Sequence, residues 1–132
     1  MNQKITIIKI RKPIHKDINE KLQWFGNSVG LFNLRDKDKS CFRIFIVLIK
    51  AGRGKRGVSS DDIAIDLNLS RGTVIHHINK LMDAGIVVYE DGKYFLRVNN
   101  LENLIEEIEK DLRRTLDDLK SIAKDIDDNL GI

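Results

Sequence analysis

The sequence predicts a mainly α-helical chain with a small β-hairpin, an α+β fold. Two short helical patterns joined by a tight turn occupy residues 59–81, and an alternating stretch with an Asp-Gly turn follows at 86–98. A seven-residue apolar repeat then runs from residue 101 to residue 130. Repeats of 3.5 to 3.6 residues indicate helices, whereas a repeat of two indicates a strand. Helices are therefore expected to dominate the fold.

Residues 1–35 are predicted to form an N-terminal strand-helix extension. Apolar and basic residues alternate along 3–12, which is typical of a strand whose basic side chains protect its edge. Pro13 ends the alternation. A helix is expected over 15–27, with one apolar side formed by Ile18, Leu22 and Phe25.

The central domain is predicted to span residues 36–98 and to begin with a helix that Asp36 or Asp38 caps. This helix is apolar almost all round, so it should be buried on more than one side. Cys41, the only cysteine, excludes an internal disulfide and is interpreted as a small buried hydrophobe.

The connector after this helix, Gly52–Gly57, spells G-x-G-x-x-G. A dinucleotide-binding loop needs a strand before it and a helix directly after it, and this segment follows a helical pattern instead. Its basic residues either contact phosphates or remain solvated. They are Arg53, Lys55 and Arg56.

Two helices are expected next. Ser59 or Ser60 caps the first, and acidic residues in its first turn suit the helix dipole. Ser70 caps the second, and Gly85 ends it as a left-handed residue. The apolar stripe of the second helix comprises Val74, Ile78 and Leu81, and its opposite face carries Arg71, Thr73, His76 and Lys80.

Residues 86–98 are predicted to form a hairpin, because Asp91-Gly92 favours a tight turn between alternating apolar residues. Lys93 at its tip and Arg97 further along either reach a polyanion or remain solvated.

The C-terminal segment 99–132 is predicted to be one long helix capped by Asn99 or Asn100. About 30 residues at roughly 1.5 Å each give a length near 45 Å, which exceeds the width of so small a domain. The heptad repeat therefore predicts a coiled-coil partner outside the monomer, a homodimer, although packing on the N-terminal extension of the same chain is the alternative. The expected interface residues are Leu101, Ile105, Ile108, Leu112, Leu119, Ile122 and Ile126, and Leu116, Ala123 and Leu130 widen the stripe.

Charge is distributed unevenly along the chain, whose net charge is +3. Residues 1–100 carry 18 Lys and Arg against 10 Asp and Glu, whereas residues 101–132 carry 5 against 10. A basic body fits a polyanionic partner, and an acidic tail would stay away from it. No apolar run reaches the length of a membrane span and the N-terminus is no signal peptide, so a cytoplasmic protein without a membrane partner is expected.

The run Ser70–Leu81 resembles the recognition helix of winged helix-turn-helix transcription regulators of the ArsR-like group, including archaeal relatives. In that group a capping serine, a valine four residues on and a histidine before the second apolar anchor recur; here they are Ser70, Val74 and His77. The resemblance covers roughly residues 40–98. It implies a recognition helix at 70–84 in the DNA major groove and a wing at 86–98 on the backbone or minor groove.

The metal-sensing branch of the group carries a pair of cysteines on the helix before the recognition helix, and 61–68 contains none. No metal or other cofactor is therefore expected. His77 either contacts a phosphate or is half-buried and serves the fold. The expected DNA-binding residues are Ser70, Arg71, Gly72, Thr73, His76, Lys80 and Lys93, with Arg53, Lys55 and Arg56 of the connector.

The leading interpretation is a homodimeric regulator that binds specific double-stranded DNA sequences. A winged-helix module for protein–protein interaction, in basal transcription or chromosome organisation, is the alternative. No catalytic motif supports an enzyme. A third hypothesis is a sensor with a ligand pocket between the N-terminal segment and the tail. The sequence does not identify an effector for it.

Overall fold

The computed structural model describes residues 2–14, 17–32 and 39–132. Five helices and one two-stranded antiparallel sheet follow each other along the described chain, as the sequence predicts for a winged helix-turn-helix fold. The helices are α1 (Ile18–Ser28), α2 (Ser40–Arg53), α3 (Ser60–Leu67), α4 (Arg71–Asp83) and α5 (Leu101–Leu130), and the strands are β1 (Val87–Glu90) and β2 (Lys93–Leu96).

The core lies between α2, α3, α4 and the start of α5. Phe45 and Ile44 of α2 are fully buried, and Ile78 of α4 and Leu104 of α5 pack in the same cluster. Helix α2 is thus covered on more than one side, as its apolar sequence predicts. Its proposed caps Asp36 and Asp38, and the domain boundary drawn between residues 35 and 36, lie outside the described residues.

The ends of α3 and α4 are set by local side chains. The Ser59 hydroxyl accepts a hydrogen bond from the Asp62 N–H, and Asn68 adopts a left-handed conformation with φ of 55° between the two helices. Gly85 follows α4 with φ of +80° and provides the left-handed residue that the sequence predicts there. These local bonds set where α3 ends and α4 begins, and Arg43 of α2 also donates to the Leu67 carbonyl at the end of α3.

The wing is a hairpin in which Asp91 and Gly92, with φ of 52° and 79°, form the predicted two-residue turn. Sequence reasoning missed a third short strand position. Val58 pairs with Tyr94 through backbone hydrogen bonds of 2.9 and 2.8 Å, which ties the connector before α3 to β2.

The N-terminal extension differs from its prediction. Residues 2–13 form no strand; the N–H groups of Lys4 and Ile8 instead donate to the carbonyls of Asp83 and Ser28, at the ends of α4 and α1. The alternating pattern therefore does not correspond to a sheet here. Helix α1 starts three residues later than predicted, because Asp17 caps it.

Helix α5 begins at the predicted Asn100 cap and has two different halves. Its first three turns pack on the body of the same chain, where Leu101 and Ile108 contribute to the core rather than to a free face. From residue 113 onward every residue is exposed. Among the described residues, this distal half therefore does not pack on the N-terminal extension, which was the alternative to a partner outside the monomer. No described helix combines the length and apolar character of a membrane span.

Candidate nucleic-acid interface

One face of α4 is open to solvent. Arg71, His76 and Lys80 are exposed and Thr73 is half-buried, whereas Val74 and Ile78 on the opposite face are completely buried. The apolar stripe therefore anchors the helix and leaves its polar face outward. This is the placement that the sequence predicts for the recognition face.

The first turn of α4 is ordered by its cap. The Ser70 hydroxyl oxygen accepts from the Thr73 N–H at 3.1 Å, and the same hydroxyl donates its hydrogen to Thr73 Oγ1 at 2.8 Å. These two contacts fix the Thr73 side chain at the start of the helix. The turn also carries the positive end of the helix dipole, which favours a nearby anion.

Arg71 forms an ion pair across the turn, with 3.5 Å between its Nε and Asp61 Oδ1. Both side chains are about 70% exposed (73% and 69%), so the pair contributes little to stability. The pair joins the first turn of α3 to the first residue of α4. Sequence reasoning did not anticipate this pair, since the two residues are ten positions apart on different helices.

Gly72 leaves open space on this face. A Cβ atom built at this position meets no heavy atom within 4 Å, and the backbone φ is not in the left-handed region. Neither the backbone conformation nor the packing of this chain therefore requires glycine here. A partner that approaches the first turn of the helix closely would supply such a requirement.

The connector and the wing lie side by side. A Cβ at Gly57 would be 2.7 Å from the Lys93 Cβ and 2.5 Å from the Phe95 ring, so only glycine permits this approach. Arg56 precedes Gly57, and the close approach at Gly57 brings the connector up to Lys93 near the wing tip. Arg53, Lys55, Arg56 and Lys93 are all exposed. The end of the G-x-G-x-x-G segment thus packs on the hairpin.

Arg97 is not available to a polyanion in the way that Lys93 is. Its guanidinium donates two hydrogen bonds to the Asp111 carboxylate of α5, and Gln3 donates to the same carboxylate at 3.0 Å. Asp111 is 7% exposed, and Arg114 pairs with it from the next turn. The hydrogen bonds from Arg97 lower the pKa of Asp111 from 3.8 to about 2. This cluster ties the wing, the N-terminal segment and α5 together.

Asp111→Asn should lower the free energy of unfolding by about 2 kcal/mol at neutral pH, because Arg97 and Arg114 lose their charged acceptor. The Asp111 carboxyl binds a proton less readily in the folded chain than in the unfolded chain. Its contribution to the free energy of unfolding is therefore present at pH values above the unfolded pKa of 3.8, and it is lost as the pH falls toward the folded pKa of about 2. Urea denaturation should therefore show a difference that shrinks over this range. Asp118→Asn, on the exposed part of α5, should change stability by less than about 0.5 kcal/mol. A difference that is the same at both ends of the range would contradict the role of Asp111.

His77 is buried at 8% exposure, which supports a role in the fold rather than a phosphate contact. It lines an open cavity of about 540 Å³ between the N-terminal segment and α4, together with Lys4, Thr6, Cys41 and Lys80. In the described part of the chain, no three His, Cys, Asp or Glu side chains are grouped to hold a metal ion.

The core of α2, α3 and α4 and the hairpin after it define a winged helix-turn-helix fold. Residues 58–89, from the Val58 bridge through α4 into β1, match the family model described as "Bacterial regulatory protein, arsR family". This part of the chain is therefore similar to the helix-turn-helix segment of ArsR-type regulators, a similarity that suggests DNA binding. Comparison with curated proteins and with solved structures gave no match.

Proposed function

We propose that the protein is a homodimeric transcription regulator that recognises specific sequences in double-stranded DNA. The single observation that carries the proposal is the exposed first turn of α4. Its capped backbone, its open Gly72 and its outward Arg71 form a surface that fits a major groove.

The base contacts are assigned to Arg71, Thr73 and His76. A guanidinium can bind O6 and N7 of guanine with two hydrogen bonds, so Arg71 makes the largest contribution to discrimination. Thr73 donates its hydroxyl hydrogen or contacts a thymine methyl group. His76, one turn further along, contacts the next base edge or a phosphate.

The phosphate contacts are assigned to the periphery of the same surface. Lys80 lies further along α4, and Lys93 occupies the start of β2 at the wing tip. The Ser70–Thr73 turn offers the N–H groups of Arg71 and Gly72 to a phosphate, because the Thr73 N–H is bonded to the Ser70 hydroxyl. Arg53, Lys55 and Arg56 extend the positive charge from the wing into the connector. Such contacts set the register of the protein on DNA but do not select the sequence.

The dimer contact is assigned to the distal half of α5. Leu119, Ile122 and Ile126 are between 50% and 60% exposed, and Ile105 and Leu112 continue the stripe toward the body. A row of apolar side chains on an otherwise charged helix is stabilised when a second helix covers it. Two-fold pairing would present two copies of α4 to an inverted-repeat site.

Selection of bound fragments from random duplex DNA tests the proposal. We expect enrichment of an inverted repeat, a complex with the mass of two chains, and an affinity that falls steeply as salt rises. Recovery of random sequences with weak, nearly salt-independent binding would contradict it. That result would favour the alternative module, whose helix face and wing bind another protein.

Gly72→Ala should separate folding from binding. Alanine in a helix is more favourable than glycine by about 0.5 to 1 kcal/mol, and its methyl group has room in the free protein. The variant should therefore unfold at a higher temperature and yet bind DNA more weakly. Thermal denaturation and fluorescence anisotropy with labelled DNA measure the two effects. Unchanged DNA affinity would show that no partner approaches the backbone at this turn.

A further inference from the structure

The residues along the exposed stripe of α5 indicate in which direction two copies of this helix would pair. From Leu112 to Leu130, apolar residues recur at alternate spacings of four and three, as at the core positions of a two-stranded coiled coil. These core positions are Leu112, Leu116, Leu119, Ala123, Ile126 and Leu130. We propose that two copies of α5 pair antiparallel, with the two-fold axis at Ser121. This inference rests on the proposed homodimer and adds its orientation and register.

The apolar layers fit this register without exception. Leu112 lies opposite the partner's Leu130, Leu116 opposite the partner's Ile126, and Leu119 opposite the partner's Ala123. Every core layer from 112 to 130 is then apolar, and the large Leu119 meets the small Ala123. The stretch used is exposed from residue 113 onward, with Leu112 half-buried at its edge, so pairing does not disturb the packing of Leu104 and Ile108 on the body.

The flanking positions distinguish the two directions. In the antiparallel register Arg113 lies beside the partner's Asp127, and this pair of opposite charges occurs twice in the dimer. Ile122, which is 58% exposed, lies beside the partner's Ile122 at the axis and becomes covered. Lys120 also meets its own copy there, but its long side chain can direct the ammonium group into solvent.

A parallel pair of α5 helices would place less favourable neighbours across the interface. Ile122 would then lie beside the charged Asp127 of the partner subunit, and Arg113 would have no acidic neighbour across the interface. Glu109, which continues the core spacing one step toward the body, would face its own copy. In the antiparallel arrangement Glu109 lies outside the paired stretch. Like charges in or beside the core are destabilising, so the charges favour the antiparallel direction.

The antiparallel arrangement also determines where the two bodies lie. Asp111, the last buried residue of α5, is ten residues from Ser121, so the two copies are separated by roughly 30 Å along the helix axis. The winged domains would extend from opposite ends of the coil. This separation is similar to the spacing of about 34 Å between successive major grooves on one side of DNA.

Spin labels on single cysteines measure the direction of pairing. Ser121→Cys and Asp128→Cys, each in a Cys41→Ala background, place labels seven residues apart on the same outer side of the coil. The antiparallel dimer predicts a label-to-label distance at 128 that is longer than at 121 by roughly 10 Å, because the copies at 128 are separated along the axis by about 20 Å. Equal distances at both sites would overturn the proposal in favour of a parallel pair.

Charge reversal provides an independent readout by sedimentation equilibrium of the full chain. Arg113→Asp and Asp127→Arg should each raise the dimer dissociation constant by roughly tenfold, and the double variant should recover most of that loss. Arg113→Asp with Asp128→Arg is the matched control, because position 128 points away from the partner. Absence of recovery would overturn the register. A monomer at all concentrations would overturn the dimer itself, whereas DNA selection tests sequence recognition separately.

Discussion

Arg71→Ala is expected to remove most of the discrimination between the selected DNA site and a scrambled duplex. A two-hydrogen-bond contact from arginine to guanine contributes roughly 1 to 3 kcal/mol, so affinity for the selected site should fall by about 5-fold to 150-fold. Affinity for the scrambled duplex should fall only slightly, because one exposed positive charge is lost. Stability should hardly change, since the Arg71–Asp61 pair is exposed.

Lys80→Ala is the matched comparison on the same helix. As a phosphate contact, Lys80 should contribute equally to both duplexes, and its loss should reduce the dependence of log affinity on log salt by about one. Anisotropy titrations at several salt concentrations distinguish the two patterns. If Arg71→Ala kept full discrimination, the base contact would have to be assigned to another residue.

Leu119→Lys is expected to abolish the dimer and to reduce affinity for an inverted repeat by roughly 10²-fold to 10⁴-fold, because the second half-site then binds without an increased effective concentration. Leu119 is 60% exposed on the distal half of α5, far from the core, so the winged domain should remain folded. Sedimentation and anisotropy measure the two effects.

Ser121→Lys is the control for this second prediction. It adds the same charge two residues away, on the outer side of the proposed coil, and should leave both the mass and the affinity unchanged. Binding of monomeric Leu119→Lys to a single half-site should match that of the natural chain. A Leu119→Lys variant that stayed dimeric would assign the contact to another surface, for which the exposed Ile7 and Ile8 are candidates.

Features that depend on a few neighbouring residues could be predicted from the sequence. The caps Ser59, Ser70 and Asn100 and the Asp91-Gly92 turn are confirmed, because each satisfies backbone groups within three or four positions. The buried side of α4 is also confirmed, since helical periodicity alone separates its apolar stripe from its polar face.

Features that depend on distant residues could not be predicted. The Val58 bridge to β2 and the Asp111–Arg97 ion pair both join segments whose relative positions only the folded core determines. The strand predicted from the N-terminal alternation was wrong for the same reason. Alternation describes an extended backbone, but a strand also needs a neighbour, and here the ends of α1 and α4 occupy that place.

In the proposed complex the first turn of α4 contacts the DNA. Titration of the isotopically labelled protein with its selected duplex, followed by amide NMR signals, tests this contact. We expect the largest changes at Arg71, Gly72 and Thr73, smaller changes at the wing tip around Lys93, and little change beyond Ser121 in α5. Saturable DNA binding that leaves the signals of 70–76 unchanged would contradict it.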